Sequence, residues 1–169
     1  MKPVNKTRRL ALLGVATACA IIFSYVELLL PPIWQAVPGV KVGLANVVVI
    51  YLMYKDSVKS ALAVSIVRIF IVALLFGNVM TLSYSIAGAV LSIAVMALLK
   101  KIDAFSVLGV SVAGGVAHNL GQIIVAMLLL QTKEIGYYML VLAVTGTLAG
   151  IAVGLAAALL IKYTKRFKY

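Results

Sequence analysis

Six long apolar runs, separated by short polar segments, constrain this chain more than any other feature of its sequence. The runs cover residues 10–30, 42–54, 60–76, 79–99, 105–130 and 135–161. An apolar stretch of about 18 residues or more is typical of a transmembrane helix. The second run is shorter, so it predicts a tilted span or a helix that lines a cavity. The sequence therefore predicts one all-α integral membrane domain over residues 1–169, with six transmembrane helices.

The composition excludes the common soluble classes. Apolar residues make up 64% of the chain and charged residues 11%, and the mean hydropathy is +1.18. A soluble domain is about 45–50% apolar and about 25% charged, and disordered chains are poor in apolar residues. The apolar run that starts at Leu10 is also too long for the core of a signal peptide, so no cleavage is expected.

The basic residues predict the orientation in the membrane. The net charge is +11. If the chain crosses the membrane at each run, only Lys41 and Lys133 fall on one side, and Arg68 lies inside a run. The other twelve fall in the terminal segments and in the loops after the second and fourth runs: Lys2, Lys6, Arg8, Arg9, Lys55, Lys59, Lys100, Lys101, Lys162, Lys165, Arg166 and Lys168. The positive-inside rule then predicts a multi-pass protein of the cell membrane with both termini cytoplasmic. We expect the basic charge to face anionic lipid head groups rather than nucleic acid.

Polar side chains inside the spans are the candidate binding residues, because such groups are costly in a membrane. In the predicted orientation they lie between the bilayer centre and the outer surface, which indicates a pocket that opens outward. The set is Glu27, Asn46, Arg68, His118, Asn119 and Gln122, with Trp34 as a residue that could stack on a ligand. Structural alternatives stay open: Glu27 and Arg68 could form a buried ion pair, Arg68 could snorkel, and His118 and Asn119 could bridge helices by hydrogen bonds.

Small residues recur at four-residue spacing, and catalytic motifs do not occur. Gly146, Gly150 and Gly154 predict close helix packing in the last span, and Ala16 and Ala20 have the same spacing in the first. The sequence contains no HExxH motif, no paired acidic cluster and no Gly-x-Ser-x-Gly. We therefore predict no enzymatic activity, no cofactor and no metal site.

Four blocks of sequence resemble a known family. They are residues 27–32 (ELLLPP), 38–46 (PGVKVGLAN), 67–68 (VR) and 114–122 (GGVAHNLGQ). Together they resemble the Gx transporter family, which carries the older label heptaprenyl diphosphate synthase component I, and the resemblance extends over about residues 10–162. That family is similar to the substrate-binding S components of energy-coupling-factor transporters.

The resemblance implies an S-component-like bundle that binds a small vitamin-like solute near the outer face. A transmembrane coupling protein and two ATPases would be its partners, and Ala16 and Ala20 match the spacing of the family's docking stripe. Arg68, with the polar residues of block 114–122, would hold the solute, Asn46 and Glu27 would close the outer end, and the loop 31–41 would act as a lid. With Lys41, the cationic groups favour an anionic or carbonyl-rich solute.

Two other functions stay open at this point. The older family label indicates a non-catalytic membrane subunit linked to isoprenoid or quinone synthesis, and a related possibility is a membrane part of a flavin-based electron-transfer system. A purely structural scaffold is the third class. These alternatives predict different partners and no ATP-driven uptake.

Overall fold

A computed structural model describes residues 6–29 and 42–164, and this part of the chain is helical throughout its regular structure. The helices follow the six apolar runs closely, except that a short 3₁₀ helix forms the start of the last run. Their bounds are α1 Lys6–Leu29, α2 Ala45–Lys55, α3 Val58–Phe76, α4 Val79–Ile102, α5 Val107–Leu130, the 3₁₀ helix Lys133–Tyr138 and α6 Met139–Tyr163. The all-α prediction is confirmed. Trp34, Lys41 and the loop 31–41 lie outside the described residues.

Five helical segments in the described part are long and apolar enough to cross a membrane: α1, α3, α4, α5, and the 3₁₀ helix together with α6. The exception is α2, which has 11 residues. At 1.5 Å per residue it is about 16 Å long, roughly half of the 30 Å hydrocarbon core. The described part therefore has five candidate spans, which fits a multi-pass helical membrane protein, and the prediction of a sixth full span is not confirmed.

The short helix α2 lies in the middle of the bundle. It packs against α1, α3 and α6, and six of its eleven residues are buried, among them Ile50 and Met53. Neighbouring helices thus shield α2 from lipid, which allows a helix too short to span the membrane to be accommodated there.

Glycines set the distance between α5 and α6. A Cβ added at Gly146 would lie 3.0 Å from the carbonyl oxygen of Gly115, and one added at Gly150 would lie 2.6 Å from Cα of Val112. Such short distances leave no space for a side chain at either position. The predicted packing role of the α6 glycines is thus confirmed, and the two backbones are in direct contact.

The basic side chains lie together at one end of the bundle, which we call the basic end and define by Arg9, Lys55 and Lys100. Arg9 Nη2 lies 3.0 Å from Asp56 Oδ2, Lys55 Nζ donates to the backbone oxygen of Thr164 at 2.9 Å, and Lys100 Nζ donates to a backbone carbonyl in the last turn of α2. Eight of the twelve basic residues assigned to one side are described, and all belong to helix ends or loops at this end: Lys6, Arg8, Arg9, Lys55, Lys59, Lys100, Lys101 and Lys162.

Side-chain caps fix where three helices begin. Ser57, Asn78 and Ser106 each accept a hydrogen bond from the backbone N–H three residues later, at the start of α3, α4 and α5. At the end of α4, Asp103 takes a left-handed conformation with φ of 57°. These local signals explain why the helices are separated by turns of only a few residues.

Candidate functional site

One internal cavity gathers the predicted binding residues. It has a volume of about 90 Å³ and extends from the end opposite the basic end, where α1 ends and α2 begins, to the middle of α4, α5 and α6. Its lining includes all six predicted residues of the described part: Glu27, Asn46, Arg68, His118, Asn119 and Gln122. They come from α1, α2, α3 and α5, so the fold brings together side chains that are up to 95 positions apart in sequence. The seventh predicted residue, Trp34, lies outside the described residues.

Arg68 supplies the positive charge of the cavity. Its Nη1 donates a hydrogen bond to Ser24 Oγ at 3.0 Å, and Ser24 in turn donates to the carbonyl oxygen of Ala20 at 2.9 Å. The Nε atom of Arg68 is buried and has no hydrogen-bond partner among the described residues. A buried donor without an acceptor costs about 1–3 kcal/mol, so this guanidinium is suited to a further acceptor from outside the described chain.

Glu27 supplies the negative charge and fastens the start of α2 to α1. Its Oε1 accepts a hydrogen bond from the backbone N–H of Gly43. Gly43 has a φ of +76°, a conformation that glycine adopts readily and most residues do not. The carbonyl oxygen of Gly43 then accepts the N–H of Asn46 at 2.8 Å. This turn places the Asn46 side chain, in the first turn of α2, beside the cavity.

Glu27 and Arg68 do not form the ion pair that the sequence left open as a structural alternative. Both line the cavity, yet no oxygen of Glu27 lies within 4.0 Å of a nitrogen of Arg68, and the ion pair found among the described residues is Arg9–Asp56. Each charged group has a neutral partner instead, Gly43 for Glu27 and Ser24 for Arg68. The cavity therefore presents two charges of opposite sign that attract each other across it without direct contact.

The polar residues of α5 contact two neighbouring helices, α4 and α6. Asn119 Nδ2 donates to the carbonyl oxygen of Leu142 on α6 at 2.7 Å, so the predicted helix-bridging role holds for this residue while it also lines the cavity. His118 and Gln122 face α4, where a Cβ added at Gly88 would lie 3.0 Å from an atom of each. Because Gly88 has no side chain, His118 and Gln122 can pack directly against the backbone of α4.

Serines and glycines complete the lining, and the sequence did not single them out as site residues. Ser92 Oγ donates to the carbonyl oxygen of Gly114 at 2.8 Å, and Ser111 Oγ donates to that of Gly150 at 2.7 Å. Ser85, Gly115 and Gly146 also line the cavity. The four-residue spacing of the glycines was visible, but it predicted packing, and the same positions also leave backbone atoms exposed to the cavity.

A second cavity adjoins the first at Arg68. It has a volume of about 110 Å³ and lies among α1, α3 and the start of α4. Glu27, Arg68 and Ser85 line both cavities, whereas Phe76 and Thr81 line the second. A group bound to Arg68 can therefore extend into either space.

Of the two alanines predicted to dock a partner, Ala20 faces the interior of the bundle, whereas Ala16 is partly buried and lines an open groove beside α2. Ala20 is fully buried, and Ala16 packs against the same core cluster. The exposed small residues of α1 are on its other side, for example Gly14, where an added Cβ would meet no atom within 4 Å. The docking role of Ala16 and Ala20 stays a prediction, and in this arrangement of the helices Ala20 is not accessible to a second protein.

The described residues contain no group of three or more His, Cys, Asp or Glu side chains that could hold a metal ion. What the cavity offers is a guanidinium, a carboxylate, an imidazole, three amides and several hydroxyls. These groups can orient a polar solute by hydrogen bonds and charge.

Comparison with known proteins assigns the family. The family model described as heptaprenyl diphosphate synthase component I matches residues 16–160. The chain belongs to this family. The match runs from α1 to α6 and includes every cavity residue described above, and it confirms the family predicted from the four sequence blocks. Searches of curated proteins and of solved structures found no match.

Proposed function

We propose that this chain is the substrate-binding membrane component of an uptake transporter of the energy-coupling-factor type. One observation carries the proposal: six polar residues from four helices converge on a single cavity inside an otherwise apolar bundle. Polar groups at such a position are costly, and in membrane proteins they mark ligand and ion sites. A scaffold without a ligand gives no reason to place a charged guanidinium there.

The position of the cavity fits capture of a solute from outside the cell. The cavity begins at the end of the bundle opposite the basic end and reaches the middle of the bundle. If the basic end faces the cytoplasm, as the positive-inside rule favours, the cavity runs from the outer side of the bundle, at Glu27 and Asn46, to the middle of the membrane. A transmembrane coupling protein and a pair of ATPases would then supply the energy for transport.

The size of the cavity favours a small solute. Pockets for drug-sized ligands have volumes of about 300–1,000 Å³, whereas the two adjoining cavities have about 90 and 110 Å³. A compound of few heavy atoms fits this space, and Arg68 is the group best placed to hold its polar end.

The name of the family supports a second candidate function. A component of a prenyl diphosphate synthase could be a membrane subunit that assists a separate catalytic chain in isoprenoid or quinone synthesis. On that alternative, or on the related flavin-based one, the stable partner is a synthase subunit or a flavoprotein and no ATPase is involved.

Purification in mild detergent from native membranes, followed by mass spectrometry of the proteins that co-purify, separates the two candidates. We expect a transmembrane coupling protein and ATPase subunits. Recovery of a prenyl synthase subunit or a flavoprotein, without an ATPase, would overturn the transport proposal.

A matched pair of variants tests the role of the cavity in the same preparation. Arg68→Ala should remove solute binding while the protein still accumulates in the membrane. Arg9→Ala removes the same side chain at the basic end, and it should leave binding unchanged. Equal binding by wild type and Arg68→Ala would contradict the proposed site.

A further inference from the structure

The two charges of the cavity define the chemical class of the solute more narrowly than "anionic". Among the described residues, Arg68 and Glu27 are the lining side chains that carry a full charge, and His118 is the other titratable group of the lining. The charges of Arg68 and Glu27 sum to zero. A solute with a single negative charge would leave the Glu27 carboxylate, which is partly buried, without a compensating positive charge, and this is unfavourable inside a cavity.

The hydrogen bonds show what each charged group still lacks. Arg68 has a buried Nε–H with no acceptor among the described residues, so it requires an acceptor, and a carboxylate or carbonyl oxygen suits a guanidinium best. Glu27 has two acceptor oxygens, and one of them accepts the N–H of Gly43. A carboxylate donates nothing when ionised, so any solute group that binds Glu27 must be a donor.

Direct pairing would have satisfied both groups without a solute, and the chain does not use it. The carboxylate and the guanidinium lie more than 4.0 Å apart although they line the same two cavities. A molecule with an acceptor at one end and a donor at the other can lie between them and satisfy both.

We infer that the solute is a small zwitterion, with a carboxylate or similar anionic group that binds Arg68 and an ammonium or other cationic N–H group that binds Glu27. This inference rests on the proposed function and deepens it. An amino-acid-like compound of few heavy atoms has this chemistry and fits the size of the cavities. With such a solute bound, the net charge of the site stays zero.

The test begins with the compound that the protein carries from its native membranes. The wild-type chain and Arg68→Ala are purified in mild detergent and denatured, and the released small molecules are identified by mass spectrometry. A compound that is enriched in the wild type and has both an anionic and a cationic nitrogen group supports the inference. An enriched compound with an anionic group and no cationic N–H group overturns the inference but leaves the proposed function intact. If no compound is enriched over Arg68→Ala, the proposed function fails, and the inference fails with it.

The second step tests Glu27 itself, using that compound and its analogue without the cationic nitrogen. Glu27→Gln is the informative variant, because glutamine keeps an acceptor oxygen for the Gly43 N–H and removes the charge. Wild type should bind the compound at least about tenfold more tightly than the analogue, since a hydrogen bond to a charged group is involved. Glu27→Gln should lose this preference. An unchanged preference in Glu27→Gln, with normal folding by circular dichroism, would overturn the assignment of Glu27.

Discussion

Replacing Gly150 by alanine should separate two helices that are now in backbone contact. A Cβ at this position would lie 2.6 Å from Cα of Val112 and 3.0 Å from the carbonyl oxygen of Ser111. The best distance between non-bonded carbon atoms is about 3.5–4.0 Å, so α5 and α6 would have to move apart by roughly 1 Å. Both nearby atoms belong to the backbone, and no side-chain rotation can relieve the overlap.

The expected magnitude follows from three contributions. Overpacking of this kind costs about 1–3 kcal/mol. Weakening of the hydrogen bond from Ser111 to the Gly150 carbonyl adds up to about 1.5 kcal/mol. The higher helix propensity of alanine offsets about 1 kcal/mol. These contributions together predict that Gly150→Ala lowers the free energy of unfolding by up to about 3.5 kcal/mol.

Gly14→Ala is the matched control, because it makes the same chemical change in α1 where the new Cβ meets no atom within 4 Å. It should leave the stability unchanged or raise it by up to about 1 kcal/mol. Both variants can be compared with wild type by unfolding in mixed micelles of dodecyl maltoside and sodium dodecyl sulfate, followed by circular dichroism. If Gly150→Ala proves as stable as Gly14→Ala, the α5–α6 contact described here is wrong.

Two further changes test the ends of the helices. Burial alone raises the pKa of the Asp56 carboxyl, but hydrogen bonds from Ser60 and Arg9 and the charge of Arg9 outweigh it and hold this pKa below its ordinary value. The Arg9–Asp56 bridge therefore stabilises the fold above the unfolded pKa of about 3.9 and loses its effect as the pH falls through the lower folded pKa. Since the bridge is partly exposed, Asp56→Asn should lower the free energy of unfolding at pH 7 by about 1 kcal/mol or less. The difference from wild type should shrink below about pH 4, and a difference that does not change with pH would contradict the role of the bridge. Asn78→Ala removes the side-chain acceptor for the Thr81 N–H at the start of α4 and should lower the free energy of unfolding by about 1 kcal/mol. Asn78→Ser keeps an acceptor and should retain most of the wild-type stability. Equal stability of the two Asn78 variants would contradict the cap.

The helices were predictable because apolar runs and their interruptions are local properties of the sequence. The α3–α4 boundary is an example: Gly77 and Asn78 interrupt the apolar pattern, and Asn78 caps the next helix. The start of α6 was less predictable, because residues 133–138 form a 3₁₀ helix and an apolar pattern does not distinguish that from an α-helical turn. Whether α2 spans the membrane could not be decided from its composition, since burial by neighbouring helices determines it.

The polar residues chosen for their depth in the membrane line one cavity where they are described, but their hydrogen-bond partners were not predictable. Arg68 and Glu27 were expected to pair or to bind a ligand, and the structure gives Arg68 a serine and Glu27 a backbone N–H. A backbone partner such as Gly43 leaves no side-chain signal in the sequence. The inward position of Ala20 was equally hidden, because four-residue spacing defines a face of a helix and not what that face contacts.

Substitutions on the two sides of the cavity should affect the stability of the fold differently. On the α5–α6 side, Gly115, Gly146 and Gly150 both line the cavity and hold the helices in contact. A substitution there changes folding and binding together, so a loss of binding would not identify a ligand contact. On the α1–α3 side, Arg68 and Glu27 have one hydrogen bond each to a neutral group. Substitutions of those two residues can therefore separate binding from folding, and Glu27→Gln does so most cleanly because it preserves the hydrogen bond to Gly43.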